Sequence, residues 1–117
     1  MSRKDGILDL VVKTAPFRDL KSGVKLEEYR ADEPGKFRWR NRLLTEIALD
    51  LRTNCELRED FDFHHYHTAR ISLGYAHDRE SFTRPIKRIR WGKPNPAWTY
   101  GIVSAGECFI IELEAPE

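Results

Sequence analysis

The sequence predicts an α+β domain of five or six short strands with two helices inserted early. Either a sheet with separate helices or a small closed or half-closed barrel with helices over its mouth satisfies this count. Three observations predict it. Short runs alternate apolar and polar residues, as in Ala69, Ile71 and Leu73 against Thr68, Arg70 and Ser72. Two stretches in the first half space their apolar residues as helices do. Glycines and prolines punctuate the boundaries between these runs.

Taken in order, Ile7 to Val12 is a first strand with Leu8, Leu10 and Val12 on one face. Thr14 is suited to cap a brief helix, Pro16 to its first turn, Phe17 and Leu20 to its buried side, and Gly23 to its stop. A second strand runs from Lys25 to Arg30. Asp32 to Gly35 reads as a turn, with Pro34 opening an amphipathic helix from Lys36 to Leu44. In that helix Trp39 pairs with Leu43 four residues on, Arg38 and Arg42 form a basic stripe, and the spacing of Leu43, Ile47 and Leu51 can carry the helix to residue 52. Residues 53–65, with their acidic cluster, read as a surface excursion with partial packing. Tyr66 to Leu73 is a half-buried strand ended by Gly74, with Tyr75 at the turn. Phe82 to Trp91 is a strand that Pro85 assigns to an edge or a bulge. Gly92 to Pro96 is a loop, and Glu107 to Glu114 is the last strand, with Phe109, Ile111 and Leu113 inward.

A chain of 117 residues is most simply one domain, residues 1–117, long enough to bury a core without disulfides or metal. Its net charge of +1 says little, because 20 basic and 19 acidic residues cancel. Their distribution says more. Lys36, Arg38, Arg40 and Arg42 form one basic block, and Arg84, Lys87, Arg88, Arg90 and Lys93 another, so a basic face for polyanions is compatible with a near-neutral total. Cys55 and Cys108 fit no zinc or redox spacing, and His64-His65-Tyr66-His67 suits no standard zinc motif. No metal and no cofactor is expected. Without an apolar N-terminal core or a membrane-length apolar run, a cytoplasmic protein with reduced thiols and no membrane partner is expected.

The chemistry concentrates in Ser22 to Arg30. Arg30 is a permanent cation able to hold a phosphate or carboxylate bidentately. Lys25 can bind phosphate, or act as a base if burial lowers its pKa. Glu28 can orient either cation or accept hydrogens from an exocyclic amine. Strict alternation puts Glu28 and Arg30 on one face and Lys25 on the other, so convergence of the three requires Lys25 to lie in the turn, or a bulge. The competing reading is a solvated Lys–Glu–Arg ladder on a strand surface. As a ligand site, the stretch is expected to tolerate Lys25→Ala and Glu28→Ala with little change in Tm and to lose its ligand. Elsewhere, Phe37 and Trp39 interleave with the arginines of the second helix, where an aromatic could stack a base, although the pairing with Leu43 favours a core role for Trp39. Trp91 and Trp98 flank the Gly/Pro-rich loop as a second stacking wall, against which stands an edge strand protected by charge.

These residues resemble the ASCH domain family, which has a PUA-like β-barrel fold. The family pattern is close to F-x-x-(I/L)-x-S-G-x-K-x-x-E-x-R, then W-x-x-R-L, then a Gly-Tyr turn. Phe17, Leu20, Ser22, Gly23, Lys25, Glu28 and Arg30 match the first part, Trp39, Arg42 and Leu43 the second, and Gly74-Tyr75 the third. The run Cys108 to Leu113 is similar to the family's closing strand. The resemblance spans roughly residues 7 to 114. Two positions depart from it: Leu26 stands where many members have Thr, and Leu73 where many have Asn. The resemblance implies a PUA-like barrel of five or six strands with two or more helices packed on it. It implies RNA or a nucleotide-like ligand as partner, held in a cleft lined by Lys25, Glu28, Arg30, Arg40, Arg42 and Tyr75. The alternative it implies is a hydrolase, either a ribonuclease or an amidohydrolase acting on a modified nucleoside, with Lys25 and Glu28 catalytic. Amidohydrolase members carry Thr three residues after the lysine, where this chain has Glu28, so binding is the leading expectation. A protein-interaction domain is the third reading.

Overall fold

A computed structural model describes residues 6–32, 38–45, 55–59, 63–74, 76, 78–99 and 106–116. The elements are β1 (Ile7–Val12), α1 (Thr14–Ser22), β2 (Glu27–Arg30), α2 (Arg38–Leu43), β3 (Thr68–Leu73), β4 (Ser81–Gly92), a 3-10 turn (Pro96–Trp98) and β5 (Cys108–Leu113). The strands form one five-stranded sheet in the order β1-β3-β4-β5-β2. β1 pairs parallel with β3, and β3 pairs antiparallel with β4, so the sheet is mixed and the class is α+β. The chain falls into two compact units, Met1–Glu28 with His65–Arg88 and Glu112–Glu117, and Tyr29–His64 with Ile89–Ile111. Among the described residues no helix is long and apolar enough to cross a membrane.

In the first unit β1 alternates as the sequence requires, with Leu8, Leu10 and Val12 buried and their neighbours half-buried. A parallel partner needs a long crossover, and residues 13–67 supply it between β1 and β3. On the ladder Asp9 faces Arg70 and bonds it at 2.6 Å, an opposite-charge pair on a largely exposed surface. α1 packs on β3 and buries Phe17 and Leu20. Phe17 meets Phe82 edge-on, with ring centroids 5.2 Å apart. The N-cap is Lys13, without a side-chain cap bond, and not Thr14, which is already helical. The Phe17 amide donates to the Lys13 carbonyl at 2.9 Å, which sets the first turn one residue earlier. Pro16 then lies where an amide has no helical partner to lose.

Pro85 does not place β4 at an edge. The strand is continuous for 12 residues and lies between β3 and β5. Thr68 is opposite Pro85, while the neighbouring Ile86 amide donates to the His67 carbonyl at 2.9 Å. The Pro85 carbonyl accepts from Glu114, just past the end of β5. In a strand a residue's N and C=O point the same way, so the missing amide faces the end of the β5 ladder, where little pairing is lost.

In the second unit the buried residues are Tyr29, Trp39, Leu43, Leu44, Phe63 and Cys108 to Ile111. Phe109 takes Phe63 and Trp91 edge-on, at 6.2 and 4.9 Å between centroids. Leu44 bridges Phe63, so part of the expected excursion at 53–65 is packed. The expected inward set of β5 is too small: Cys108 and Ile110 are buried along with Phe109 and Ile111. A strand buried on both faces loses its alternation and reads as a continuous apolar run. α2 begins at Arg38; the expected start at Lys36, Phe37, and the extension over 46–52 fall outside the described residues.

Gly23 closes α1 in the left-handed region, at φ 88°, with its amide donating to the Leu20 carbonyl. A Cβ there would come within 2.8 Å of the Pro116 ring. Gly23→Ala is therefore expected to destabilise the protein by about 1–2 kcal/mol from backbone strain alone, seen as a lower urea midpoint at unchanged m-value.

Candidate functional site

The expected site residues are divided between the two units. In the first, β2 begins at Glu27 and not at Lys25, so Lys25 belongs to the turn after α1. That turn is fixed by its backbone. The Lys25 amide donates to the Asp19 carbonyl at 3.0 Å, and the Leu26 carbonyl accepts from Leu113 at 2.9 Å. The Ser22 hydroxyl donates to the Asp19 carbonyl at 3.3 Å. Released from strand alternation, the Lys25 side chain turns to Glu28, with Nζ 2.8 Å from Oε1. Both side chains are out of water, 3% and 6% exposed. The condition that alternation set for bringing Lys25 to Glu28 is thus met by the turn.

In the second unit Arg30 ends β2. Its Nη1 donates to the Tyr29 carbonyl at 2.8 Å, and its guanidinium carbon lies 5.2 Å from the centroid of the Trp39 ring. Arg38 and Arg42 approach the same ring at 5.5 and 5.4 Å. Helix geometry explains Arg42, three residues after Trp39 on α2. Each contact is within cation–π range and worth about 0.5–1 kcal/mol at an exposed site. Trp39 itself is 8% exposed, so the core role favoured by its spacing from Leu43 holds.

Arg40 points elsewhere. Its Nε and Nη2 donate to the Asp32 carboxylate at 3.0 and 2.9 Å, and its Nη1 donates to the Cys55 carbonyl at 2.9 Å. The hydrogen bond to Asp32 raises the Arg40 pKa above the usual arginine value, against the opposing effect of burial. Arg40 is therefore a permanently charged clamp that ties α2 to Asp32, two residues past β2, and to Cys55. Tyr75, the last expected ligand residue, lies outside the described residues.

The second basic run is divided among structural tasks. Arg84 lies over Phe82 and donates to the carbonyls of Leu20 and Lys21 at the end of α1, a favourable place for a cation. Arg88 bonds Glu112 at 3.1 Å. Trp91 packs on Phe109, and Trp98 packs on Tyr29, Cys108 and Ile110. The Tyr29 hydroxyl accepts from the Asn95 amide at 3.0 Å, pinning the loop that carries Trp98. His65 and His67 are exposed, and His67 shares a hydrogen with the Thr68 hydroxyl. Among the described residues no group of three or more metal-ligating side chains forms. Cys55 and Cys108 are not joined in a disulfide.

Sequence reasoning missed two features. The Asp32–Arg40 clamp was hidden because Asp32 reads as a turn residue. The meeting of Arg30 with Trp39 joins a strand to a helix, and local spacing carries no signal for it. Comparison with protein-family models, curated proteins and solved structures gives no match.

Burial changes what the Lys25–Glu28 pair predicts. Lys25→Met leaves a buried carboxylate without its cation and is expected to cost about 3–5 kcal/mol. Lys25→Met combined with Glu28→Leu is expected to recover most of that loss in urea unfolding. Equal losses in the single and double variants would contradict the coupling.

Proposed function

We propose that this chain is an RNA- or nucleotide-binding domain of ASCH type, its sheet closed as a PUA-like barrel. The observation that carries the reading is the meeting of Arg30, Arg38 and Arg42 on Trp39. Each guanidinium carbon is within 5.5 Å of one ring, so no two are farther apart than about a Debye length, ~10 Å at 0.1 M salt. At that separation two cations repel by about 0.4 kcal/mol in water and about 1.7 kcal/mol at an effective dielectric of 20. Contact with the indole is of the same size and offsets this. An arriving polyanion is attracted by all three charges at once. Arginine also suits the task, because its planar fork matches two oxygens of a phosphate.

The alternative is a hydrolase of the same family, and the 2.8 Å Lys25–Glu28 pair is what favours it. A lysine held beside a carboxylate is a recognisable acid–base arrangement. At 3% exposure, however, Nζ is out of reach of a polymer while the pair is closed. Binding is the better supported reading, with Lys25 and Glu28 fixing the turn.

Single-stranded RNA should bind with an affinity that falls by about tenfold or more in Arg38→Gln/Arg42→Gln, in fluorescence anisotropy at low salt. The Tm should stay close to that of the parent, since Arg38 is exposed and Arg42 only half-buried. RNA binding unchanged in this variant would refute the site. Shortened RNA, or acetate released from an acetylated nucleoside, would favour the hydrolase.

A further inference from the structure

We infer that the arginine cluster on Trp39 holds the phosphodiester backbone of RNA and offers no face on which its bases can stack. The inference rests on the RNA-binding reading above and names which part of the RNA is grasped.

Base stacking requires an open aromatic face at van der Waals distance. Trp39 does not offer one. Its ring is 8% exposed and is approached by three guanidiniums between 5.2 and 5.5 Å from its centroid. A base could stack there only by displacing these cations and drawing the ring out of the core. The indole acts as a rack for the guanidiniums, and the guanidiniums are what a ligand meets. Their chemistry suits phosphate oxygens. All three carry the same charge and none carries an acceptor, so the exocyclic amines of adenine and cytosine find no partner in the cluster, and adenine, cytosine and uracil are not told apart by paired donors and acceptors.

The Arg40 clamp makes the arrangement specific to its geometry. Arg40 lies half-way round the helix from Arg38 and Arg42. By bonding Asp32 and the Cys55 carbonyl it fixes the rotation of α2, and so the side of α2 on which Arg30 of β2 meets Trp39. Arg40 is a positioning residue in this scheme and makes no contact with the ligand.

The test is a competition in fluorescence anisotropy with a labelled oligouridylate. Unlabelled oligoadenylate and oligocytidylate of equal length are compared with inorganic polyphosphate of the same phosphate number. All three should compete within a few-fold of one another. The slope of log K against log salt should be about −2, for three phosphates on a single strand, and about −0.7 in Arg38→Gln/Arg42→Gln. Polyphosphate that fails to displace bound RNA would overturn the inference and leave RNA binding standing. So would a preference of about tenfold or more for one base. Failure of the protein to bind the labelled RNA at all would overturn both readings.

Discussion

Lys25 and Glu28 can leave water only together. Taking either ion alone into a protein interior costs several kcal/mol, and a close partner of opposite charge is what offsets it. With both side chains almost completely covered and 2.8 Å apart, the turn between α1 and β2 has little freedom. Its backbone follows suit: Gly23 adopts a left-handed conformation, the Lys25 amide returns to Asp19, and the Leu26 carbonyl meets Leu113. The charged stretch that marks the sequence is therefore held by its own ion pair. The same rule governs Arg40, whose guanidinium is largely covered and is met by the Asp32 carboxylate.

The basic residues divide by how they meet this constraint. On α2, Arg40 faces a carboxylate, while Arg38 and Arg42, four residues apart, share the face that reaches Trp39. On β4, Arg84 meets the terminal carbonyls of α1 and Arg88 meets Glu112. Two runs that look alike in the sequence thus differ in physical state. One delivers several positive charges to a single aromatic ring. In the other, Arg84 lies over Phe82 and meets the helix-end carbonyls, and Arg88 joins Glu112. A count of lysines and arginines along the chain cannot make this distinction, because acids and carbonyls from distant segments decide it.

Elements with strong local signals were legible. The alternation of Leu8, Leu10 and Val12, the burial of Phe17 and Leu20, the stop at Gly23 and the pairing of Trp39 with Leu43 all follow from periodicity and backbone preference. Where signals were local but the outcome was not, the reading slipped. Pro85 suggested an edge, yet β4 is an inner strand, because the missing amide faces a place where the neighbouring ladder has ended. β5 suggested one inward face, yet Cys108 and Ile110 are buried as well, because Tyr29 and Trp98 pack against them while Phe63 and Trp91 pack against Phe109.

The sequence by itself determined the α+β class, the order of its main strands and helices, and the concentration of charge at residues 22–30 and on α2. These depend on near neighbours in the chain, whose spacing sets which side chains share a face. Only the tertiary structure decided which charges meet. Lys25 reaches Glu28 because the strand starts two residues later than alternation suggested. Arg30 reaches Trp39, and Arg40 turns to Asp32 and Cys55, because folding sets strand, helix and loop side by side. Pairing between charges acts over a few ångströms in space, and separation along the chain does not report it.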